Sequence, residues 1–459
     1  MTGDAAPHGG GTPLRVGRAA RLAGEIRLPG DKSIGHRALL FGALGHGEAE
    51  VTTFRPGADV RSSAAALGTL GAVLATDRAA DGTVRYRVRG GGTPDAAVLP
   101  GVGGETLDCG NSGTTIRLFS GALAGRPARV TLMGDASLSR RPMERVAAPL
   151  RAMGAGVETA DGRAPLRIAG ARPLAALRHE LPVASAQVVG AIALAALAAP
   201  GRTTIVSPGP TRDHTERLLG WLGVPISRDG FVTTIDGGRG FASRDVDVPG
   251  DISSAAMWLV AGALHPAGHV RLRNVGLNPS RTAIVDVLRA MGADIDVEPG
   301  APTGPEPVGD IVVRGGRRLR AVSLAGAAVA DLIDELPVLS IAMAAADGTS
   351  EVRDAGELRH KESDRIRLVV AGLGAIGASA TELPDGWQVR SGPARDAAIV
   401  TDGDHRIAMA FGLAAVTGVA GTVTLDDGEC VDVSYSGFWD DLAALAGTAI
   451  TERTQGDRP

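Results

Sequence analysis

Cations and carboxylates gather in a few short runs of this chain. Lys32, Ser33, His36 and Arg37 follow the turn Pro29-Gly30-Asp31, and an apolar run begins at Ala38. A turn, a capping Asp31 or Ser33 and an apolar run mark a helix N-terminus, where free N–H groups and the helix dipole favour an anion. Four further runs share this character. Asn111, Ser112, Gly113, Thr114 and Arg117 precede Arg140 and Arg141; Ser185 and Gln187 precede Thr211, Arg212, Asp213, His214 and Glu216. Asp334 and Glu335 precede Arg359-His360-Lys361-Glu362-Ser363-Asp364-Arg365, and Asp402, Asp404, His405 and Arg406 form the last. A sixth run, Asp251-Ile252-Ser253-Ser254, has no cation near its turn. Brought together, these side chains suit a substrate pair carrying phosphates and carboxylates. Carboxylates among the cations suit proton transfer.

The runs recur because a unit recurs. Six stretches open on a turn or short polar segment and continue into an apolar helix rich in small residues, starting at Leu28, Asp108, Leu181, Val248, Asp334 and Asp402. Each is followed by a short strand, from Glu50–Phe54 in the first to Thr422–Leu425 in the last. An amphipathic helix comes next and closes on a signature such as LGTLGA (Leu67–Ala72) or LRAMGA (Leu150–Ala155 and Leu288–Ala293). Gly71, Gly154, Gly223, Gly292 and Gly374 are placed there for the left-handed turn that ends a helix. The unit is a βαβαββ-like module, too long for a solenoid repeat. The turns at Leu28–Asp31 and Val248–Asp251 lie half a chain apart. They divide the chain into halves of three units and mark two passages between domains. Glu298–Gly309 lacks periodicity and reads as a loop.

At 459 residues the chain exceeds one ordinary core, so two or more domains are expected. With 47 basic and 51 acidic residues the net charge is −4, which argues against nucleic acid as a partner. Cys109 and Cys430 give neither a disulfide framework nor metal-ligand spacing, which points to a reducing, cytoplasmic compartment. Apolar runs such as Val188–Ala199 are too short to span a membrane. Met1–Pro13, rich in glycine, reads as a disordered tail. Cys109 reads as a small buried hydrophobe, and His179, His214 and His265 as structural or surface residues.

The stretches PGDKSIGHRALL (Pro29–Leu40), GNSGTTIRL (Gly110–Leu118), SAQ (Ser185–Gln187), SPGPTRDHTERLL (Ser207–Leu219), IDELPVL (Ile333–Leu339), HKESDRI (His360–Ile366) and DGDHRIAMA (Asp402–Ala410) resemble EPSP synthase, 3-phosphoshikimate 1-carboxyvinyltransferase. SAQ and TRDHTE look like its bacterial class II. The resemblance implies a two-domain, inside-out α/β barrel-like fold of six βαβαββ units, three per domain, with two crossover hinges. Residues 1–29 and 249–459 would form one domain and 30–248 the other, with the site in the cleft between them. It implies enolpyruvyl transfer from phosphoenolpyruvate to the 5-hydroxyl of shikimate 3-phosphate, by addition and elimination, in a monomer that needs no metal or organic cofactor. Asp334 would be the base on the hydroxyl, Glu362 the proton donor and acceptor at the methylene carbon, and Lys32 the contact to both substrates. Ser33, Arg37, Ser185, Gln187, Arg212 and Lys361 would hold shikimate 3-phosphate. Arg365 and Arg406 would hold the phosphoenolpyruvate carboxylate, and Gly113, Arg141 and Gln187 would face its phosphate.

Some positions depart from the family pattern. Gly35 stands where Ser is common, which is expected to loosen the first helix turn. His360 replaces an apolar residue, and Val433–Phe438 replaces a commoner S-F-P turn. Gly113 stands where glyphosate-tolerant members carry Ala, so glyphosate is expected to fit. The alternatives are transfer to UDP-N-acetylglucosamine, transfer to a related phosphorylated polyol, or a non-catalytic anion-binding paralogue. The start Gly30-Asp31-Lys32-Ser33 and the absence of Cys from Asp135–Arg141 speak against the first. The joint presence of Lys32, Asp334, Glu362, Arg365 and Arg406 speaks against the last.

Overall fold

The structure, a computed structural model, describes residues 12–101, 103–302, 304–447 and, as backbone, 451–453. Residues 1–11 of the expected tail lie outside the described residues. Thr12 is held in place, its carbonyl accepting from the Gly428 N–H at 3.0 Å.

Each of the six turns opens a helix: Lys32–Leu44, Gly113–Ala124, Ala186–Ala196, Ile252–Leu264, Leu336–Ala345 and His405–Thr417. These helices are buried on nearly all sides, which small residues permit by letting backbones meet. A Cβ on Gly121 would lie 2.0 Å from the Ala191 carbonyl oxygen of the neighbouring helix. Four of the helices are capped by the preceding side chain, Asp31, Ser112, Asp251 and Asp404 accepting from backbone N–H groups of the first turn. Gly35 does not loosen its helix. Its N–H bonds the Asp31 carbonyl at 2.8 Å, and a Cβ there would stand 3.3 Å from both Val60 methyl groups. The residue is small because Val60 lies against it.

The described strands form six four-stranded sheets of one design, a parallel pair followed by two antiparallel partners. In the second unit Thr106–Asp108 runs parallel to Arg129–Met133, which pairs with Arg163–Ala169, which pairs with Gly156–Ala160. Three sheets borrow strands from distant sequence. Val246–Asp247 completes the first unit, Leu22–Arg27 the fourth, and Leu14–Val16 the sixth, where it pairs with Val423–Leu425 and Thr451–Arg453. A unit is thus contiguous in space without being contiguous in sequence.

Buried apolar residues fall into two cores, one joining residues 14–28 to 252–446 and the other spanning 34–248. The chain passes between them at 28–31 and 248–251. There the Asp31 N–H bonds the Pro249 carbonyl at 2.7 Å, and the Asp251 N–H bonds the Pro29 carbonyl at 2.9 Å.

Gly71, Gly154, Gly223 and Gly292 adopt positive φ. In the fifth unit, however, the helix Arg365–Ala375 runs through Gly374 and the left-handed residue is Gly377, at φ +101°. The signature there is Leu373–Ala378, three residues later than expected. The segment expected as a loop, Glu298–Gly309, is one over its middle: the described residues of 300–307 carry no helix or strand, and only its ends belong to the strands Asp294–Pro299 and Val308–Arg314 that it joins. Among the described residues no helix is long and apolar enough to cross a membrane.

Candidate active site

A cleft between the two cores collects the helix starts. Lys32, Ser33, Arg37, Gly113, Arg141, Ser185, Gln187, Arg212, Asp334, Lys361 and Glu362 all line it. Arg365 and Arg406 lie behind this lining, both buried.

The charges neutralise one another across the cleft. Arg212 Nη2 donates to Asp334 Oδ2 at 2.7 Å, Lys361 Nζ and Arg365 Nη1 stand 3.7 and 3.6 Å from Oδ1, and Arg406 Nη1 donates to the Asp334 carbonyl at 2.7 Å. Burial alone would favour a neutral carboxyl. The fields of Lys361, Arg212, Arg406 and Arg365 outweigh it and hold Asp334 well below the usual carboxylate range. Glu362 behaves alike. Burial opposes its charge, but Arg365, 2.7 Å away, together with His405, Lys32 and Arg141 keeps it ionised. Lys32 Nζ donates to Asp59 at 3.0 Å, and its backbone N–H reaches Asp251 at 3.3 Å. Burial would lower the ammonium pKa, yet Asp59 and Glu362 raise it overall, so Lys32 is charged.

Arg365, expected to hold the phosphoenolpyruvate carboxylate, is already engaged by protein carboxylates. Its Nε and Nη2 bind Asp404 at 2.8 and 3.2 Å, and Nη2 also binds Glu362. Asp404 is fixed, because it also caps its helix and accepts from Ser363 at 2.9 Å. Glu362, 25% exposed against 0% for Asp404, is the less enclosed of the two partners. Elsewhere the lining is pre-set by hydrogen bonds. Gln187 Nε2 donates to Thr114 Oγ1 at 2.8 Å, Arg141 Nη2 to Asn111 Oδ1 at 2.6 Å, and Arg37 Nε to Thr215 Oγ1 at 2.8 Å. Ser185 precedes its helix without capping it, which leaves the hydroxyl for a ligand.

Asp59, Arg145 and Glu357 line the cleft without having been named from the sequence, and Arg117 and His214, named there only among the polar runs, line it as well. Asp59 opens the helix Ala58–Thr69, the first unit's counterpart of the loops carrying Arg141, Arg212 and Glu362, so the repeat pointed to it. The fourth unit, which has no cation near its turn, supplies Arg281 from the same kind of loop. It is buried 3.6 Å from Asp31, 3.7 Å from Asp251 and 3.4 Å from Glu335. His214, read as structural or surface, lines the cleft with Nδ1 2.7 Å from Glu306. Arg117 Nη1 donates to the Gly113 carbonyl, and burial pushes its guanidinium down to about 9. Cys109 is buried and its thiol is pushed up to about 12 by burial, which fits a core residue and no nucleophile. Among the described residues no group of three or more His, Cys, Asp or Glu side chains could hold a metal ion.

The family model described as EPSP synthase (3-phosphoshikimate 1-carboxyvinyltransferase) matches residues 16–442. Curated relatives named 3-phosphoshikimate 1-carboxyvinyltransferase include that of Salinibacter ruber, 45% identical over 94% of this chain and 99% of its own length. That of Alkalilimnicola ehrlichii is 46% identical over 95% of this chain and 96% of its own. Among solved structures, EPSP synthase from Acinetobacter baumannii superposes with a TM-score of 0.84 at 36% identity, covering 97% of this chain and all of its own. The enolpyruvyl transferase NikO from Streptomyces tendae shares the fold, with a TM-score of 0.72 at 21% identity over 97% of this chain and 99% of its own. With its family motifs gathered in one cleft and its likeness running nearly end to end, this chain belongs to the EPSP synthase family.

Proposed function

We propose that this chain transfers the enolpyruvyl group of phosphoenolpyruvate to the 5-hydroxyl of shikimate 3-phosphate, releasing phosphate. The cleft carries the reading: two ionised carboxylates, Asp334 and Glu362, stand among Lys32, Arg37, Arg141, Arg212, Lys361, Arg365 and Arg406. Shikimate 3-phosphate lies against Ser33, Arg37, Ser185, Gln187, Arg212 and Lys361. Its phosphate draws Arg212 and Lys361 from Asp334, whose basicity rises as their fields withdraw. Asp334 then takes the hydroxyl proton as the oxygen attacks C2 of phosphoenolpyruvate. Arg365 and Arg406 hold the phosphoenolpyruvate carboxylate, which displaces Glu362 from Arg365. Freed of that cation, Glu362 can carry the proton it gives to the methylene carbon. Addition yields a tetrahedral intermediate. Glu362 next takes a proton back from the new methyl group, and the C–O bond to phosphate breaks. Lys32, Arg141 and Gln187, beside Gly113, receive the leaving phosphate.

Residues 1–29 with 249–459 and residues 30–248 act as two domains closing about the passages at 28–31 and 248–251. Both halves of the site come from one chain, which supports a working monomer. Two free, buried cysteines fit a reducing cytoplasm. The deciding assay is phosphate release from phosphoenolpyruvate with shikimate 3-phosphate, with UDP-N-acetylglucosamine as control acceptor. Release with the control alone overturns the reading. Lys32→Ala should lower kcat by at least ~10³-fold, since its ammonium serves both substrates, while leaving the fold intact. Retention of most activity would make Lys32 a mere helix-start cation.

A further inference from the structure

Two segments that the reaction leaves unused meet beside the cleft. His214 begins the helix His214–Trp221 two residues after Arg212, on the side of residues 30–248. Glu306 precedes the strand Val308–Arg314 on the other side. Both side chains are only 2% exposed, and His214 Nδ1 lies 2.7 Å from Glu306 Oε1. Asn278 Nδ2, on the Glu306 side, donates to Glu306 Oε2 at 2.9 Å and to Asp213 Oδ1 at 2.7 Å. Both the His214–Glu306 and the Asn278–Asp213 contacts cross between the two sides.

A carboxylate this deeply buried is tolerated only with its partners in place. With the two sides apart, water would solvate both groups, so the pair forms only when they meet. The contact also fixes geometry, because the adjoining Arg212 reaches Asp334 across the cleft at 2.7 Å and the adjoining Thr215 accepts from Arg37 at 2.8 Å. We propose that His214 and Glu306 are a positioning pair, a latch across the cleft that fixes the loop carrying Arg212 over the cleft on closure. Neither side chain touches reacting atoms. The proposal rests on the reading above in one respect, that Arg212 serves the shikimate 3-phosphate half of the site.

Glu306→Gln and His214→Gln, singly and together, test it by steady-state kinetics with both substrates. Each single variant should raise KM for shikimate 3-phosphate about tenfold, with a smaller change in kcat and in KM for phosphoenolpyruvate. The double variant should be no worse than either single one, because the two groups act as a unit. Small-angle scattering of the free variants should give a larger radius of gyration than the parent. An unchanged KM, additive losses, or an unchanged radius would overturn the latch. So would loss of folding in both single variants, which would make the pair a folding element of the core. If the parent protein does not turn over shikimate 3-phosphate, the functional reading alone has failed, and the scattering still decides the latch.

Discussion

Asp334 and Glu362 are held ionised by the cations around them, and under the proposed function substrate anions exchange into these protein ion pairs. Asp334→Asn and Glu362→Gln should therefore each lower kcat by ~10²–10⁴-fold, as expected for lost proton transfer. Rapid-quench detection of the tetrahedral intermediate separates addition from elimination in these variants, and near-parental turnover in either would refute its role. Gly113 makes a second residue-scale test. A Cβ there would stand 2.7 Å from Arg117 Nη1 and 3.2 Å from Arg141 Nη1. Both are ends of flexible side chains, so Gly113→Ala should fold. It should raise KM for phosphoenolpyruvate and the glyphosate concentration for half inhibition by about tenfold, at an unchanged KM for shikimate 3-phosphate. Residue types and local runs made the cations and both carboxylates legible in the sequence. Their partners were not, because Arg212 and Asp334 are 122 positions apart and Lys32 and Asp251 are 219. Local spacing says nothing about pairs so remote.

Between residue and molecule stands the repeated unit, and its least certain copies fail for physical reasons. The helices were legible because each shows a turn, a cap and a small-residue apolar run. The strands Val246–Asp247 and Leu14–Val16 are two and three residues long, too short to show alternation, so the closing of the first and sixth sheets was not. In the fifth unit the sequence reads Gly372, Gly374 and Gly377 in close order, and only the backbone decides which one ends the helix. Gly374 sits in the helix Arg365–Ala375 with open space where a Cβ would be, whereas a Cβ on Gly377 would lie 1.9 Å from the Pro393 carbonyl oxygen. Gly374→Ala should stabilise the protein by ~0.5–1 kcal/mol, and Gly377→Ala should destabilise it by more than ~1 kcal/mol. Thermal melting of the two variants decides. The reverse order would restore the earlier register.

At the scale of the whole molecule, two buried histidines carry a pH liability. His36 sits on the helix Lys32–Leu44 and His405 on the helix His405–Thr417, both about 1% exposed. Burial drives the His36 imidazole down to about 3, with Asp59 opposing and Lys32 and Arg37 assisting. Burial drives His405 to about 4 against the pull of Asp404. An unfolded histidine titrates near 6.5. Below that pH the unfolded chain binds two protons that the folded chain refuses, so stability present above pH 6.5 is lost as pH falls towards 4 and 3. Each imidazole contributes up to about 1.4 kcal/mol per pH unit in that window. Asp334, Glu362, Asp59 and Asp404, whose carboxyls are depressed, add loss of the same sign at lower pH. Asp31 and Glu216, raised chiefly by burial, run the other way from the ordinary carboxylate range upward. A single variant isolates the imidazole. His36→Gln keeps a hydrogen-bonding group for Ser63, which lies 2.7 Å from Nδ1. In urea unfolding, the stability of the parent should fall between pH 6 and 5 by about 1 kcal/mol more than that of His36→Gln. Equal slopes would mean that His36 takes up its proton in the folded state, and that water reaches its imidazole there.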